Sequence, residues 1–297
     1  MNYYYDFDRQ DYSKRPCTIP VPHVKTMSTI HLNGQVMSGT MKKRMNYDYL
    51  TWGINPLSST SFVAMPLTEN DAKSQGFQKI SDCGDSSGLH GIRYVKDNDM
   101  NLILIYDVQG HIAGISAAVP TNMANGWPHA FLKGHPFIKS GNHHHISAYF
   151  VDPAIICASG RTTALYHQQG VGTDLYIQNG TDPIADSIKI PHLQSGITST
   201  HWTKGKCFPT MGLHYWYNIR KDMSCDEFYP SFLLYNGGKL NAFGWAFIAD
   251  LTSSRLEHPP QSAISGFMNP VPDCLLNAGK LSTMHIYLSD NPVLDTC

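Results

Sequence analysis

Short apolar runs separated by turn-forming residues dominate the chain. Leu102-Ile103-Leu104-Ile105-Tyr106-Asp107-Val108, the turn Gln109-Gly110 and the run His111 to Val119 read as a hairpin with both arms apolar enough for a core. Phe232-Leu233-Leu234-Tyr235, the turn Asn236-Gly237-Gly238 and Leu240 to Ile248 read as a second. Asn33-Gly34, the strongest short hairpin signal, marks a third between Met27 and Met37. Further strands are expected within Tyr47 to Val63, His145 to Val151, Ala154 to Cys157, Thr163 to Tyr166, Asp174 to Gln178, Trp202 to Asn218 and Leu281 to Leu288. Helical signals are few. Thr68-Glu69-Asn70-Asp71 places a hydroxyl cap ahead of carboxylates that suit the positive helix end, predicting a helix to about Lys79. A second short helix is expected near Ser262 to Met268. Many strands with little helix between them predict a mainly β chain, an antiparallel β-sandwich or barrel-like architecture with few short helices.

The polar, tyrosine-rich start ending in Pro20-Val21-Pro22 reads as a surface arm over residues 1–22. The break from Pro120 to Pro128 suggests a β subdomain over 23–120 and a second over 121–297, with a single domain as the alternative.

Composition supports the β reading. Charged residues make up only 15% of the chain, whereas Gly (24), Pro (18), Tyr (16) and Phe (12) are abundant, the profile of strands joined by tight connections. A net charge of −1 leaves no broad basic field for nucleic acid. No apolar run reaches the roughly 20 residues of a membrane span. The first residues lack the basic and apolar regions of a secretory leader. This fits either a cytoplasmic protein or a mature chain whose leader has been replaced by Met1.

The seven cysteines, none in a C-x-x-C pair, favour the second, extracellular reading. Disulfides are expected, with Cys207–Cys225 favoured because it closes a short loop. The odd thiol is expected at Cys297 or Cys157. Asn179-Gly180-Thr181 is a glycosylation sequon in a turn.

Two patches concentrate potential chemistry. In Asn142-His143-His144-His145-Ile146-Ser147, strand alternation puts His143 and His145 on one face and His144 on the other. In Gly205-Lys206-Cys207-Phe208-Pro209-Thr210-Met211-Gly212-Leu213-His214-Tyr215-Trp216-Tyr217-Asn218, a turn leads into a strand carrying His214. His143, His145 and His214 together would make a facial site for a divalent transition metal such as Fe, Cu, Zn or Mn. His201 and His167 are reserve ligands. His285, alternating with Met284 and Ile286, reads more simply as a satisfied strand residue.

Gly205, Pro209, Gly212, His214 and Asn218 resemble the second motif of the cupins, over less than a tenth of the chain. The resemblance implies a metal-binding histidine at His214 on a barrel strand, with His143 and His145 matching the pair of the first motif. This chain departs from the pattern in the spacing of Pro209, Gly212 and His214. No glutamate follows in Ile146 to Val151, so a three-histidine site is the most it can supply.

Three other readings compete. Gly84-Asp85-Ser86-Ser87-Gly88 matches G-x-S-x-G, and Cys83 to Ser86 resembles the nucleophile segment of trypsin-like proteases, which would make Ser86 a hydrolase nucleophile. The flanking sequence lacks the strand-turn-helix context of the former and an upstream His-Cys segment for the latter. Asp226-Glu227, Asp250 and Glu257 follow no spacing that specifies a carboxylate pair. The aromatics Trp216, Phe243, Trp245 and Trp127 would line either a ligand pocket or a β core.

The leading expectation is a secreted β protein whose histidine- and aromatic-lined pocket binds a small aromatic-type molecule. It would act as an oxidoreductase or oxygenase, metal-dependent or cofactor-free, light-emitting oxidation included, with His214 and Tyr215 catalytic and Trp216, Phe243 and Trp245 contacting the ligand. The alternative is a non-enzymatic extracellular module for carbohydrate, a hydrophobic ligand or a protein partner.

Overall fold

The computed structural model describes residues 51–53, 62–84, 88–289 and 292–297. The expected arm over 1–22, the hairpin at Asn33-Gly34, Cys17 and Ser86 lie outside the described residues.

The strands in chain order are β1 Thr51–Gly53, β2 Phe62–Ala64, β3 Gln78–Ser81, β4 Ile92–Val95, β5 Ile103–Tyr106, β6 Ile112–Pro120, β7 Ile138–Ser140 and β8 His143–Tyr149. There follow β9 Leu175–Gln178, β10 Ser187–Ile190, β11 Trp202–Phe208, β12 Gly212–Tyr217, β13 Ser231–Asn236, β14 Lys239–Phe247 and β15 Ser282–Tyr287. They form a seven-stranded sheet in the order β11-β12-β13-β14-β15-β1-β2 and an eight-stranded sheet in the order β10-β9-β8-β6-β5-β4-β3, with β7 also on β8. All pairings between these strands are antiparallel. The mainly β, sandwich-like architecture expected from the apolar runs is what forms.

Alternation along the strands explains the layering. On β14, Phe243, Trp245 and Phe247 face the second sheet: Phe243 meets Phe150 at 6.2 Å, and Phe247 meets Trp127 and Phe137 at 5.7 and 6.2 Å between ring centroids. Leu104, Ile115, Ala117, Ile146 and Ala148 supply the other side of this core. Burying such rings is the largest favourable contribution a sandwich offers, about 25 cal/mol per Å² of apolar surface removed from water. The intervening residues of β14 are Ala242, Gly244 and Ala246, so the opposite face of the first sheet is unusually low at its centre.

Among the described residues, four short helices accompany the sheets: α1 Glu69–Ser74, α2 Pro153–Ile156, α3 Thr163–Gln169 and α4 Gln261–Phe267. Thr68 caps α1 through its side-chain oxygen, as its sequence predicts. The helix ends at Ser74 rather than near Lys79, because Gly76 turns left-handed at φ +84° and releases the chain into β3. The strands expected at Ala154 to Cys157 and Thr163 to Tyr166 are instead α2 and α3. Asp152 and Thr162 cap them by accepting from the backbone N–H of Ala154 and Leu165, and Pro153 sits at the first helical position. Local capping outweighed the β-branched and aromatic content.

The two sheets belong to one compact unit. Pro120, where a subdomain seam was expected, ends β6, which pairs with β8 from Gly114↔Tyr149 to Pro120↔His143.

Three disulfides join Cys83–Cys157, Cys207–Cys297 and Cys225–Cys274. The Cys207–Cys225 pairing is therefore incorrect, and Cys157 and Cys297 are both bonded. The register gives the reason: Cys207 pairs with Leu213 near the start of β12, whereas Cys225 follows the far end of that strand. The C-terminus reaches Cys207 because Thr210 donates its N–H to the Asp295 carbonyl at 2.7 Å.

Candidate functional site

The low centre of the first sheet's outer face is the floor of a cavity of about 250 Å³. Register places Trp216, Phe232, Gly244 and His285 in one row across β12, β13, β14 and β15. His214 precedes Trp216 by two residues and so shares its face. Glycine at 244 is required here. A Cβ would lie 2.2 Å from the Met284 carbonyl oxygen and 2.3 Å from the Phe232 ring, which leans across β14 to within 5.0 Å of His285 between centroids.

The roof is the segment from Glu257 through α4. Glu257 exchanges backbone hydrogen bonds with Thr283 at 2.8 and 2.9 Å, extending the sheet edge by one residue. Trp216 Nε1 donates to the Phe267 carbonyl at 3.3 Å, and Lys206 Nζ donates to the Ser265 carbonyl at 2.8 Å. Gly205 sits in the β11 bulge between Lys204 and Cys207. Its missing side chain permits this docking, since a Cβ would come within 2.6 Å of the Phe267 carbonyl. Phe208, Met211, Pro259, Ala263 and Phe267 complete the largely apolar wall.

The polar groups in this wall are His214, His285, Glu257 and Thr283. His214 is 1% exposed, and its Nδ1 lies 3.2 Å from the Lys206 carbonyl. A carbonyl only accepts, so Nδ1–H is the donor and Nε2 keeps its lone pair. Burial, together with the neighbouring His285, pushes the His214 pKa down to about 3, so the ring is neutral near pH 7. His285 Nδ1 lies 3.3 Å from Glu257 Oε2 but outside hydrogen-bonding geometry. The two imidazoles are nearly perpendicular, with centroids 6.4 Å apart. Thr283 Oγ1 and Glu257 Oε1 are buried without a hydrogen-bond partner among the described residues. Such groups ordinarily find water or a ligand.

The other sequence-derived candidates are dispersed. His143 and His145 project together from β8, centroids 6.2 Å apart, as strand alternation requires. They line a separate cavity of about 230 Å³ on the second sheet, beside Arg93, Ser81 and Ser140. Burial, then the Arg93 charge, pushes His145 down to about 3. The structure thus does not bring His143 and His145 to His214, and no group of three metal-ligating side chains occurs among the described residues. His214 is set among Trp216, Phe232 and Phe267 rings instead.

Tyr215, expected beside His214 in catalysis, lies on the other face of β12. Its hydroxyl accepts from Gln194 Nε2 at 2.9 Å, and its ring packs on Tyr235. Phe243 and Trp245 are wholly buried and face the second sheet, so of the three expected ligand contacts only Trp216 lines the cavity. Asn179 is half-buried, and its side-chain oxygen accepts from the Tyr229 hydroxyl at 3.1 Å. Sequence reasoning set His285 and Glu257 aside. Alternation on β15 was readable, but the register that aligns it with β12 was not.

No protein family, characterised protein or solved structure matches this chain. The fold and the site define a three-disulfide antiparallel β-sandwich with an aromatic cavity roofed by a short helix.

Proposed function

We propose that the protein binds a small, largely aromatic molecule in the cavity on the first sheet and acts on it as an enzyme of the oxidoreductase or oxygenase class. The observation that carries the reading is the cavity: Trp216, Phe232, Phe208 and Phe267 enclose it, while two histidines and a carboxylate reach into it. An apolar cavity of roughly 150 Å³ suffices for benzene, so about 250 Å³ suits one or two fused rings. Few, placed polar groups in an apolar wall are the usual make-up of a small-molecule site. Enzyme rather than simple carrier is favoured by Glu257 and His285. A carboxylate 3.3 Å from an imidazole in a largely apolar pocket is the pairing from which an orienting group and a base are made.

The three disulfides suit an oxidising, extracellular setting. Among the described residues, no helix is long and apolar enough to cross a membrane.

The test is titration of the purified protein with naphthalene-sized aromatics, read by Trp fluorescence and calorimetry, alongside oxygen uptake. Binding that weakens at least tenfold in Trp216→Ala and Phe267→Ala supports the site. Unchanged affinity in both variants would place binding elsewhere. Binding without any turnover would leave the protein a carrier.

A further inference from the structure

The cavity's polar groups are matched in a way that selects among aromatic molecules. His214 Nδ1–H is committed to the Lys206 carbonyl at 3.2 Å, so its remaining nitrogen can only accept a hydrogen bond. His285 Nδ1 lies 3.3 Å from Glu257 Oε2 without the geometry of a hydrogen bond, and the nearby carboxylate charge favours the proton on that nitrogen, which leaves Nε2 as an acceptor. Glu257 Oε1, buried and without a partner among the described residues, is a third acceptor. Among the described residues, neither lysine nor arginine lines the cavity, and the Thr283 hydroxyl is the one uncommitted donor in this wall. An anion would therefore meet mostly lone pairs, and a ring without donors would leave the acceptors desolvated and unpaired.

Resting on the reading that this cavity is the ligand site, we propose that its substrate class is a phenol, enol or N–H heteroaromatic that donates to His214 and His285, and that His285 Nε2 removes its acidic proton. In that step the ligand's O–H or N–H bond breaks and its electron pair stays on the ligand as an anion. The proton forms a new N–H bond on Nε2. The imidazolium so created lies against the Glu257 carboxylate, whose charge stabilises it while Nδ1–H stays in place. His285 is then the catalytic residue and Glu257 its positioning residue. An anionic, electron-rich ring is also the species that oxidative chemistry on an aromatic needs.

The experiment uses 2-naphthol and its methyl ether as matched probes with the intact protein. Affinity is measured by calorimetry, and ionisation of the bound naphthol by its absorption and emission shift across pH. The naphthol is expected to bind at least tenfold more tightly than the ether and to ionise at a lower pH when bound than when free. In His285→Gln the tighter binding is reduced and the downward shift in ionisation is lost. In Glu257→Gln the naphthol's ionisation constant falls about tenfold, the worth of one pKa unit. Glu257→Asp, which keeps the charge, restores part of it. Near-UV circular dichroism confirms that each variant keeps its aromatic packing. Equal affinity for naphthol and ether, or a bound naphthol that ionises no more readily than free naphthol, overturns the inference and leaves the aromatic cavity standing. Failure of both probes to bind overturns the cavity reading as well.

Discussion

Acidification should destabilise this protein well before its carboxylates protonate. His214 and His145 are 1% and 4% exposed, and burial lowers both from 6.5 to about 3. A histidine whose folded pKa is depressed costs nothing above its unfolded pKa. Between the two values the unfolded chain binds the proton and the folded chain does not, so stability falls as pH falls from 6.5 toward 3. At pH 5, a unit and a half below the unfolded value, each ring contributes about 2 kcal/mol of lost stability, and the two together about 4 kcal/mol. His90, His143, His144 and His192 are lowered in the same direction, mainly by burial, and add to the trend. The assay is urea unfolding followed by Trp fluorescence at several pH values from 7.5 to 5. His214→Gln and His145→Gln should each flatten the slope below pH 6.5 by up to about 1.4 kcal/mol per pH unit, since each removes one linked proton. A native protein equally stable at pH 7 and pH 5, or variants whose slopes match the native one, would refute the reasoning.

Gly244→Val should destabilise by several kcal/mol and abolish ligand binding, because the added carbons collide with the Met284 carbonyl and the Phe232 ring; thermal unfolding and probe titration test this. Cys225→Ser opens the bridge to Cys274 across 49 residues of chain and should cost about 2–5 kcal/mol, read as a lower urea midpoint under non-reducing conditions. Peptide mapping without reduction should recover Cys83–Cys157, Cys207–Cys297 and Cys225–Cys274. Recovery of Cys207–Cys225 would contradict the fold. Asp295 accepts from Asn241 at 2.6 Å and Asn236 at 2.9 Å, so Asp295→Ala should lose about 2–4 kcal/mol and loosen the turn end of the β13–β14 hairpin, visible as faster hydrogen exchange there.

The sequence by itself determined the class of fold, because local signals suffice for it. Alternating apolar runs and Gly-rich turns specify the β5–β6 and β13–β14 hairpins, and a Thr68 cap specifies the start of α1. It also placed His143 with His145, since residues two apart on a strand share a face whatever the strand pairs with. It misread α2 and α3, where side-chain caps on Asp152 and Thr162 outweighed strand-like content.

The site was decided by the tertiary structure alone. Which histidines meet depends on which strands are neighbours and in what register, and a one-residue slip would turn His285 to the other face of its sheet. Only the order β12-β13-β14-β15 aligns Trp216, Phe232, Gly244 and His285, and only the return of the chain beside β15 brings Glu257 to His285. The stretch from Gly205 to Asn218 carries His214 into the cavity wall. Its partner came from the last strand, not from the histidine triplet on the other sheet, because long-range pairing has no local signature.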